Sequence, residues 1–378
     1  MIIQLVRECP PGHGGVERVA HELAAAWHAQ GKLSATISLQ PYDPSADDPS
    51  LPVPYRRSNL PCIKLGRQLL LPLPSRRLWA VLTSSEVLHV HLPCPGLLAV
   101  SVLARLMQPC RSIRLHWHAF LQAPSGLQGW LIGLYQWLAL RWASYGVQVV
   151  VTTSPVLAKA LVEEGVSRAK VFVLPCCLGE LQERLYGQIA EQRRHRQLRS
   201  KQQPLRLIFI GRLDSYKRVD WLIDAFIRSR AGVLHIIGEG PMRSSLAKMA
   251  SKHAYSKTII FHGRVSESKK QDLIKDVDLL VLPSESSNEA FGIVQLEAMA
   301  SGIPALALDC SLSGMAWVGD LKITLNFKSI GRDQMIQAIN LLAADRDLLA
   351  RAVSAAEQRY WDVFARRVWS DSITSITC

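Results

Sequence analysis

The densest group of residues able to do chemistry lies at positions 283–304, PSESSNEAFGIVQLEAMASGIP. An apolar run at 278–282 reads as a strand ending in this polar loop, and a helix is expected to begin near Phe291 and Gly292. A helix start carries unpaired N–H groups and the positive end of the dipole, so it suits an anion. Gly292 would let a diphosphate approach the main chain. Glu289 and Glu297 are eight residues apart, one before the helix and one inside it, so they can address different parts of one ligand. The plainer reading is a loop acid and a solvated helix glutamate. A second group is Gly211-Arg212 followed by Lys217, just after another apolar run. An arginine fork and a lysine point charge can clamp a diphosphate leaving group. They would stabilise charge that builds as its bond breaks. The plainer reading is two surface bases.

These groups need strand ends to hold them. Strands are expected at 2–6, 33–39, 87–91, 112–117 and 146–152, then at 206–210, 233–237, 258–262, 279–282 and 305–308. Helical spacing lies between them, as at 16–30 through Val19, Leu23 and Trp27, and at 219–228. Strands alternating with helices argue for parallel sheets covered on both faces. The pattern breaks at 187–204, where Arg193, Arg194, His195, Arg196, Arg199 and Lys201 suit a solvated surface helix and a linker. The expected fold class is α/β, with two doubly wound Rossmann-like domains facing across a cleft. Ligands then sit beyond the carboxyl ends of the strands.

The bulk properties set limits. The 378 residues, 48% hydrophobic and 20% charged, fit two ordinary globular domains and argue against long disorder. The N-terminus, MIIQLVRECP, lacks the charged start and long apolar stretch of a signal peptide. The apolar segment 130–140 is about half the ~20 residues a membrane span needs and reads as a buried helix. Eight scattered cysteines, with no CxxC pair and with Cys176 beside Cys177, suggest reduced thiols. The net charge of +13 leaves three partners to weigh: nucleic acid, an anionic membrane surface or a polyanionic substrate. No nucleic-acid motif accompanies it.

The ordered set Gly211-Arg212…Lys217, Gly238-Glu239-Gly240-Pro241, Phe261-His262-Gly263 and Glu289 to Glu297 resembles glycosyltransferase family 4. In the first half, Gly12-His13-Gly14-Gly15-Val16-Glu17 resembles the family's first loop, and His89-Val90-His91 and His116-Trp117-His118 resemble its histidine-bearing strand ends. The pattern is similar to bacterial O-antigen and polysaccharide transferases. The resemblance implies a GT-B fold and a retaining transfer from a nucleotide-diphosphate sugar, by front-face substitution. It implies no cofactor and no metal. Arg212 and Lys217 would bind the diphosphate, Glu297 the ribose and Glu289 the sugar hydroxyls. Backbone N–H groups of Phe291, Gly292, Ile293 and Val294 would meet the phosphates. Gly263, Arg264 and Val265 would meet the base. Gly14 and Gly15 would close on the phosphates, and His118 would sit near the anomeric carbon. The other histidines read as structural, with His89, His91 and His116 capping strand ends. Ala119-Phe120 departs from the family's common Ser-Asp, so either the acceptor differs or this region packs instead of binding.

The expected layout is an N-terminal acceptor-side domain at 1–190, joined by a C-terminal helix at 355–378. A basic linker at 191–204 and a nucleotide-sugar domain at 205–354 complete it. The implied acceptor is a glycan or a polyprenyl-phosphate-linked one, at the cytoplasmic face of a membrane. Residues 55–82, with Arg56, Arg57, Lys64, Arg67, Arg76 and Arg77 around an apolar centre at 69–73, are expected to touch that anionic surface as a loop and a short helix. A basic loop folded over the sheet is the alternative. Rival functions are a nucleotide-sugar epimerase of the same layout, a non-catalytic sugar-binding derivative and a nucleic-acid binder. The sequence leaves the donor base, the sugar and the linkage open.

Overall fold

The computed structural model describes residues 1–12, 14–43, 51–65, 69–197, 204–229, 231–253 and 256–377. His13, Arg67, Arg199 and Lys201, which entered the sequence reading, lie outside them. The chain forms two compact units, residues 1–179 with 367–378, and residues 180–366.

The first unit runs β1 (Ile2–Val6), α1 (Gly15–Ala29), β2 (Leu33–Ser38), β3 (Arg57–Asn59), β4 (Cys62–Leu65), β5 (Leu69–Pro72), α2 (Arg76–Thr83) and β6 (Val87–Leu92). It continues with α3 (Pro95–Met107), β7 (Ile113–Trp117), α4 (Leu127–Tyr145), β8 (Val149–Thr152), α5 (Pro155–Glu163) and β9 (Val171–Val173). Seven described strands form a parallel sheet in the order β3-β2-β1-β6-β7-β8-β9. Every residue of β1 and β7 is buried, as a sheet covered on both faces demands. The order reverses between β1 and β6, so the loops after these two strands diverge and leave a crevice at their carboxyl ends.

The second unit contains α6 (Glu180–Gln197), β10 (Arg206–Ile210), α7 (Val219–Ser229), β11 (Val233–Ile237), α8 (Arg243–Ser251), β12 (Ile259–Gly263), α9 (Glu267–Ile274) and β13 (Leu279–Leu282). After these come α10 (Val294–Ala300), β14 (Ala305–Ala307), α11 (Met315–Gly319), α12 (Leu321–Leu325), α13 (Arg332–Ala344) and α14 (Arg346–Arg359). Its parallel sheet has the order β12-β11-β10-β13-β14, with the reversal between β10 and β13. Both sheets are thus doubly wound, as the alternating pattern anticipated.

Five expectations change. The boundary lies at 179/180, because α6 belongs to the second unit. There Tyr186 is fully buried and its hydroxyl donates to Glu267 Oε1 at 2.7 Å. Arg193 is no solvated base: it is buried and donates to the carbonyls of Ile274 and Lys275. The C-terminal segment is not one helix. It breaks over Tyr360–Phe364, a π turn, and α15 (Arg366–Thr377) begins afterwards. Glu183 Oε2 accepts from both the Tyr360 hydroxyl and the Arg366 N–H, which fixes the break. Of residues 55–82, β3 joins the parallel sheet and β4 pairs antiparallel with β5 where a loop was expected, while the expected short helix is present as α2. Arg57 of β3 donates to the Pro10 carbonyl and Arg77 of α2 to the Asn59 carbonyl. Finally, 130–140 is helical but not buried: Trp130, Leu131, Trp137 and Leu138 of α4 are exposed.

Candidate active site

In the second unit the sheet reversal brings the loops after β10 and β13 side by side, and these loops carry the two groups singled out from sequence. Lys217 Nζ and Glu289 Oε2 are in direct ionic contact. A backbone bond from Glu285 N–H to the Tyr216 carbonyl ties the two loops together. Arg218, in a left-handed conformation at φ 49°, donates to Glu285 Oε1 at 3.1 Å and to Asp220 Oδ2 at 2.9 Å. Burial pulls the Lys217 ammonium down to about 8; Asp214 opposes this and Arg212 adds to it. The Glu289 carboxylate in contact favours the charged form.

Arg212 is exposed, with its Nε 3.1 Å from Asp214 Oδ2. Its backbone is set by a close stack of strand ends. Gly211 N–H donates to the Ile237 carbonyl, and Gly238 N–H donates to the Gly263 carbonyl. Gly238 has φ 137°, and a Cβ there would stand 1.9 Å from the Gly211 carbonyl oxygen. Only glycine permits that approach. Gly263 closes β12, Arg264 is exposed and Val265 half-buried.

The helix expected near Phe291 starts later, at Val294, and has seven residues. Gly292, at φ 72°, turns the chain before it. The N–H groups of Phe291, Gly292, Ile293 and Val294 make no hydrogen bond among the described residues, whereas Gln295 and Leu296 donate back to Gly292 and Ile293. Four consecutive unpaired donors therefore follow Glu289 just past Ala290. The buried Gln295 amide donates to the Phe291 and Met315 carbonyls, and Ser313 Oγ to the Glu289 carbonyl, so the loop is held from behind. The Phe291 ring packs edge-on against Phe364.

Glu297 is not the solvated helix residue of the plainer reading. It is buried, with Oε2 2.7 Å from Lys270 Nζ. Lys270 also meets Glu267 Oε2 at 2.9 Å. Burial works against the lysine's charge, but Glu297 and Glu267 outweigh it and its pKa is raised. Lys270 was missed from sequence, where it is one of two adjacent lysines in a polar helix.

In the first unit Gly14 caps α1 and Gly15 opens it. Glu17 folds back over this turn, and a Cβ on Gly14 would stand 2.1 Å from its Oε2. Burial pushes Glu17 up to about 7, with Glu8 adding. His118 lies just past β7, its N–H bonded to the Leu92 carbonyl. His89, His91 and His116 do not cap strand ends. They are buried within β6 and β7 and pair across them: His89 Nδ1 with His116 Nε2, and His91 Nδ1 with His118 Nε2, both at 2.8 Å. Gln4 of β1 joins this array. Its Nε2 reaches His91 Nε2 at 2.9 Å and the Ala20 carbonyl at 3.1 Å, while its Oε1 accepts from Thr36. Gln4 and His91 were both missed, since only the strand register brings them together. Phe120 is buried against Trp117, so the Ala119-Phe120 departure fills a packing position.

Residues 190–359 match the family model described as glycosyl transferases group 1, and residues 13–178 match the model described as glycosyltransferase family 4. The chain is 27% identical over 297 residues to the D-rhamnosyltransferase WbpZ of Pseudomonas aeruginosa, covering 78% of this chain and 73% of that one. It is 35% identical over 103 residues to an uncharacterized glycosyltransferase of Methanocaldococcus jannaschii, covering 26% of each chain. Against the first curated relatives the matches span between 26% and 42% of their length. HepE from Anabaena, solved with UDP and with UDP-glucose, shares the fold. In its UDP complex the TM-score is 0.74 at 16% identity, over 99% of this chain and 98% of that one.

Proposed function

Because the chain belongs to the family 4-type glycosyltransferases of the GT-B fold, we propose that it transfers a hexose from a nucleotide-diphosphate sugar to a glycan or lipid-linked acceptor, with retention at the anomeric carbon. The observation that carries this reading is the row of unpaired N–H groups at Phe291 to Val294, next to the Lys217–Glu289 contact. The N–H row and Lys217 supply fixed positive charge for a diphosphate. Glu289, in contact with Lys217, is the group offered to sugar hydroxyls. Arg212 adds a second cation from the strand end. Glu297 is assigned to the ribose, and the turn at Gly263 to Val265 to the base. In the first unit, Gly14 and Gly15 are assigned to the phosphates and His118 to the anomeric centre.

Charge accumulates on the leaving diphosphate as the glycosidic bond breaks. Lys217, Arg212 and the N–H row would stabilise that charge more in the transition state than in the ground state. These groups do the work a metal would otherwise do, so turnover is assigned as metal-independent. The complexes of HepE with UDP and UDP-glucose support a uridine donor. The name of WbpZ, a D-rhamnosyltransferase, supports a transferred hexose-type sugar; the glycan or lipid-linked acceptor, and an anionic membrane carrying it, rest on the sequence resemblance.

Thermal-shift measurements with UDP, GDP and ADP test the donor class. A ligand at 100 times its dissociation constant stabilises by about 2.7 kcal/mol. Transfer from the matching donor to a lipid-linked glycan is then followed, with the product anomer read by NMR. Stabilisation by none of the three nucleotides overturns the reading, and an inverted product overturns the mechanism.

A further inference from the structure

α4 is built inside out. Its exposed stripe is Leu127, Trp130, Leu131, Leu134, Trp137 and Leu138, each between 39% and 74% exposed. Its fully buried positions are all small. Gly129, Ala139 and Ala143 are its buried residues, and a Cβ on Gly129 would stand 1.6 Å from the Pro124 carbonyl oxygen. The Tyr135 hydroxyl accepts from Cys94 N–H at 2.7 Å, and the Gln136 amide exchanges two hydrogen bonds with the Leu121 backbone. These contacts fix the rotation of the helix, so the leucines and tryptophans face outward by construction. An ordinary surface helix turns its apolar side to the core, and a contiguous apolar surface this large marks an interaction site. α3, which packs against α4, adds the exposed Leu103 and Leu106.

The charge around this helix names the partner. Between Asp48 and Glu163 the only acid is Glu86, against eleven lysines and arginines. That stretch therefore carries a net +10 of the chain's +13. Arg111 and Arg114 are buried, but Arg56, Lys64, Arg76, Arg77 and Arg141 are exposed. A second copy of the chain would bring two such faces together and be repelled. An anionic lipid surface is complementary in both charge and apolarity. No helix among the described residues is long and apolar enough to cross a membrane. α4, about 28 Å long at 1.5 Å per residue, is held to its own unit by its small buried residues and by the Tyr135 and Gln136 hydrogen bonds.

We propose that α4 docks the first unit on an anionic bilayer, lying in the headgroup boundary with Trp130 and Trp137 inserted. This moves the apolar insertion from residues 55–82, where the sequence suggested it, to 127–145. The exposed bases of α2 and the β4–β5 hairpin, elements that pack on α3 beside α4, supply long-range attraction.

The test is co-sedimentation of the full chain with vesicles, without donor or acceptor, so its outcome is separate from the transferase reading. Binding is expected to phosphatidylglycerol–phosphatidylcholine vesicles and not to phosphatidylcholine alone, with loss in high salt. Brominated acyl chains should quench tryptophan fluorescence. Trp130→Ser, Leu134→Ser and Trp137→Ser together should weaken partition by about tenfold or more and abolish the quenching. Thermal unfolding should stay unchanged, since the replaced side chains are exposed. Ile63→Ser with Leu65→Ser, on the hairpin, should change partition by less than about twofold. Wild-type partition in the α4 variant overturns the proposal, as does absence of binding to anionic vesicles at low salt. So does a solution dimer broken by the same three substitutions without any vesicle binding.

Discussion

His91 Nδ1 lies 2.8 Å from His118 Nε2, with the two rings stacked 13° from parallel. The direction of this bond follows from a carbonyl two steps away. Ala20 O can only accept, so Gln4 Nε2 donates to it and, with its second hydrogen, to His91 Nε2. The Thr36 hydroxyl donates to Gln4 Oε1, which agrees. His91 then carries its proton on Nδ1 and gives it to His118 Nε2. That leaves the proton of His118 on Nδ1. Burial holds His118 neutral, with its pKa lowered to about 4.

Gln4→Glu should reverse this chain. A carboxylate accepts from His91 Nε2–H, so His91 Nδ1 becomes an acceptor and His118 is protonated on Nε2. Histidine ¹⁵N shifts should show Nδ1–H at His118 in wild type and Nε2–H in the variant. Turnover should fall about tenfold or more, with little change in donor KM. Gln4→Met removes the polar end without adding charge and separates tautomer loss from misfolding. A His118 protonated on Nε2 in wild type would defeat the assignment.

Nucleotide affinity should fall above about pH 8. Lys217 binds phosphate as an ammonium, and burial lowers its pKa from 10.5 to about 8. The charge is therefore present at low pH and is lost as pH rises through that value. Glu289→Gln removes the carboxylate that favours the ammonium, so the fall should move to lower pH. Lys217→Ala should lose ~10²–10³ in turnover. Calorimetry with UDP across pH 6–10 reads the first two effects, and a flat wild-type profile to pH 9.5 would contradict them.

Lys270→Met should cost stability, since it leaves Glu297 and Glu267 without their shared cation in a buried site. Removing one partner of such a pair costs about 3–5 kcal/mol, visible in chemical denaturation. Glu297→Gln should instead weaken UDP and UDP-sugar equally, because ribose is common to both. At pH 6, where Lys217 stays charged with or without the carboxylate, Glu289→Ala should weaken only the sugar-bearing ligand. Equal losses for both ligands in both variants would remove this division of roles.

Turnover should survive EDTA, as the phosphate-binding charge is assigned to Lys217, Arg212 and backbone N–H groups. Loss of turnover with chelator and its recovery with Mg²⁺ or Mn²⁺ would reject that assignment.

Two kinds of feature were legible in the chain without coordinates. The strands and most helices follow from local periodicity, which depends only on near neighbours, and the two-unit α/β architecture follows from their alternation. The loops carrying Arg212, Lys217 and Glu289 were recognisable because each sits just beyond an apolar strand. Their meeting depends on strand order. Only the reversal between β10 and β13 brings Lys217 against Glu289, across 72 residues of sequence. The same limit explains the other misses. Gln4, His91 and His118 come from three segments and align only through the β1–β6–β7 register. Lys270 pairs with Glu297 because α9 and α10 lie together. α4 reads as buried from composition because nearly every face of it is apolar. Which side meets the core is set by where Gly129, Tyr135 and Gln136 find room and hydrogen-bond partners, and only the tertiary structure decides that.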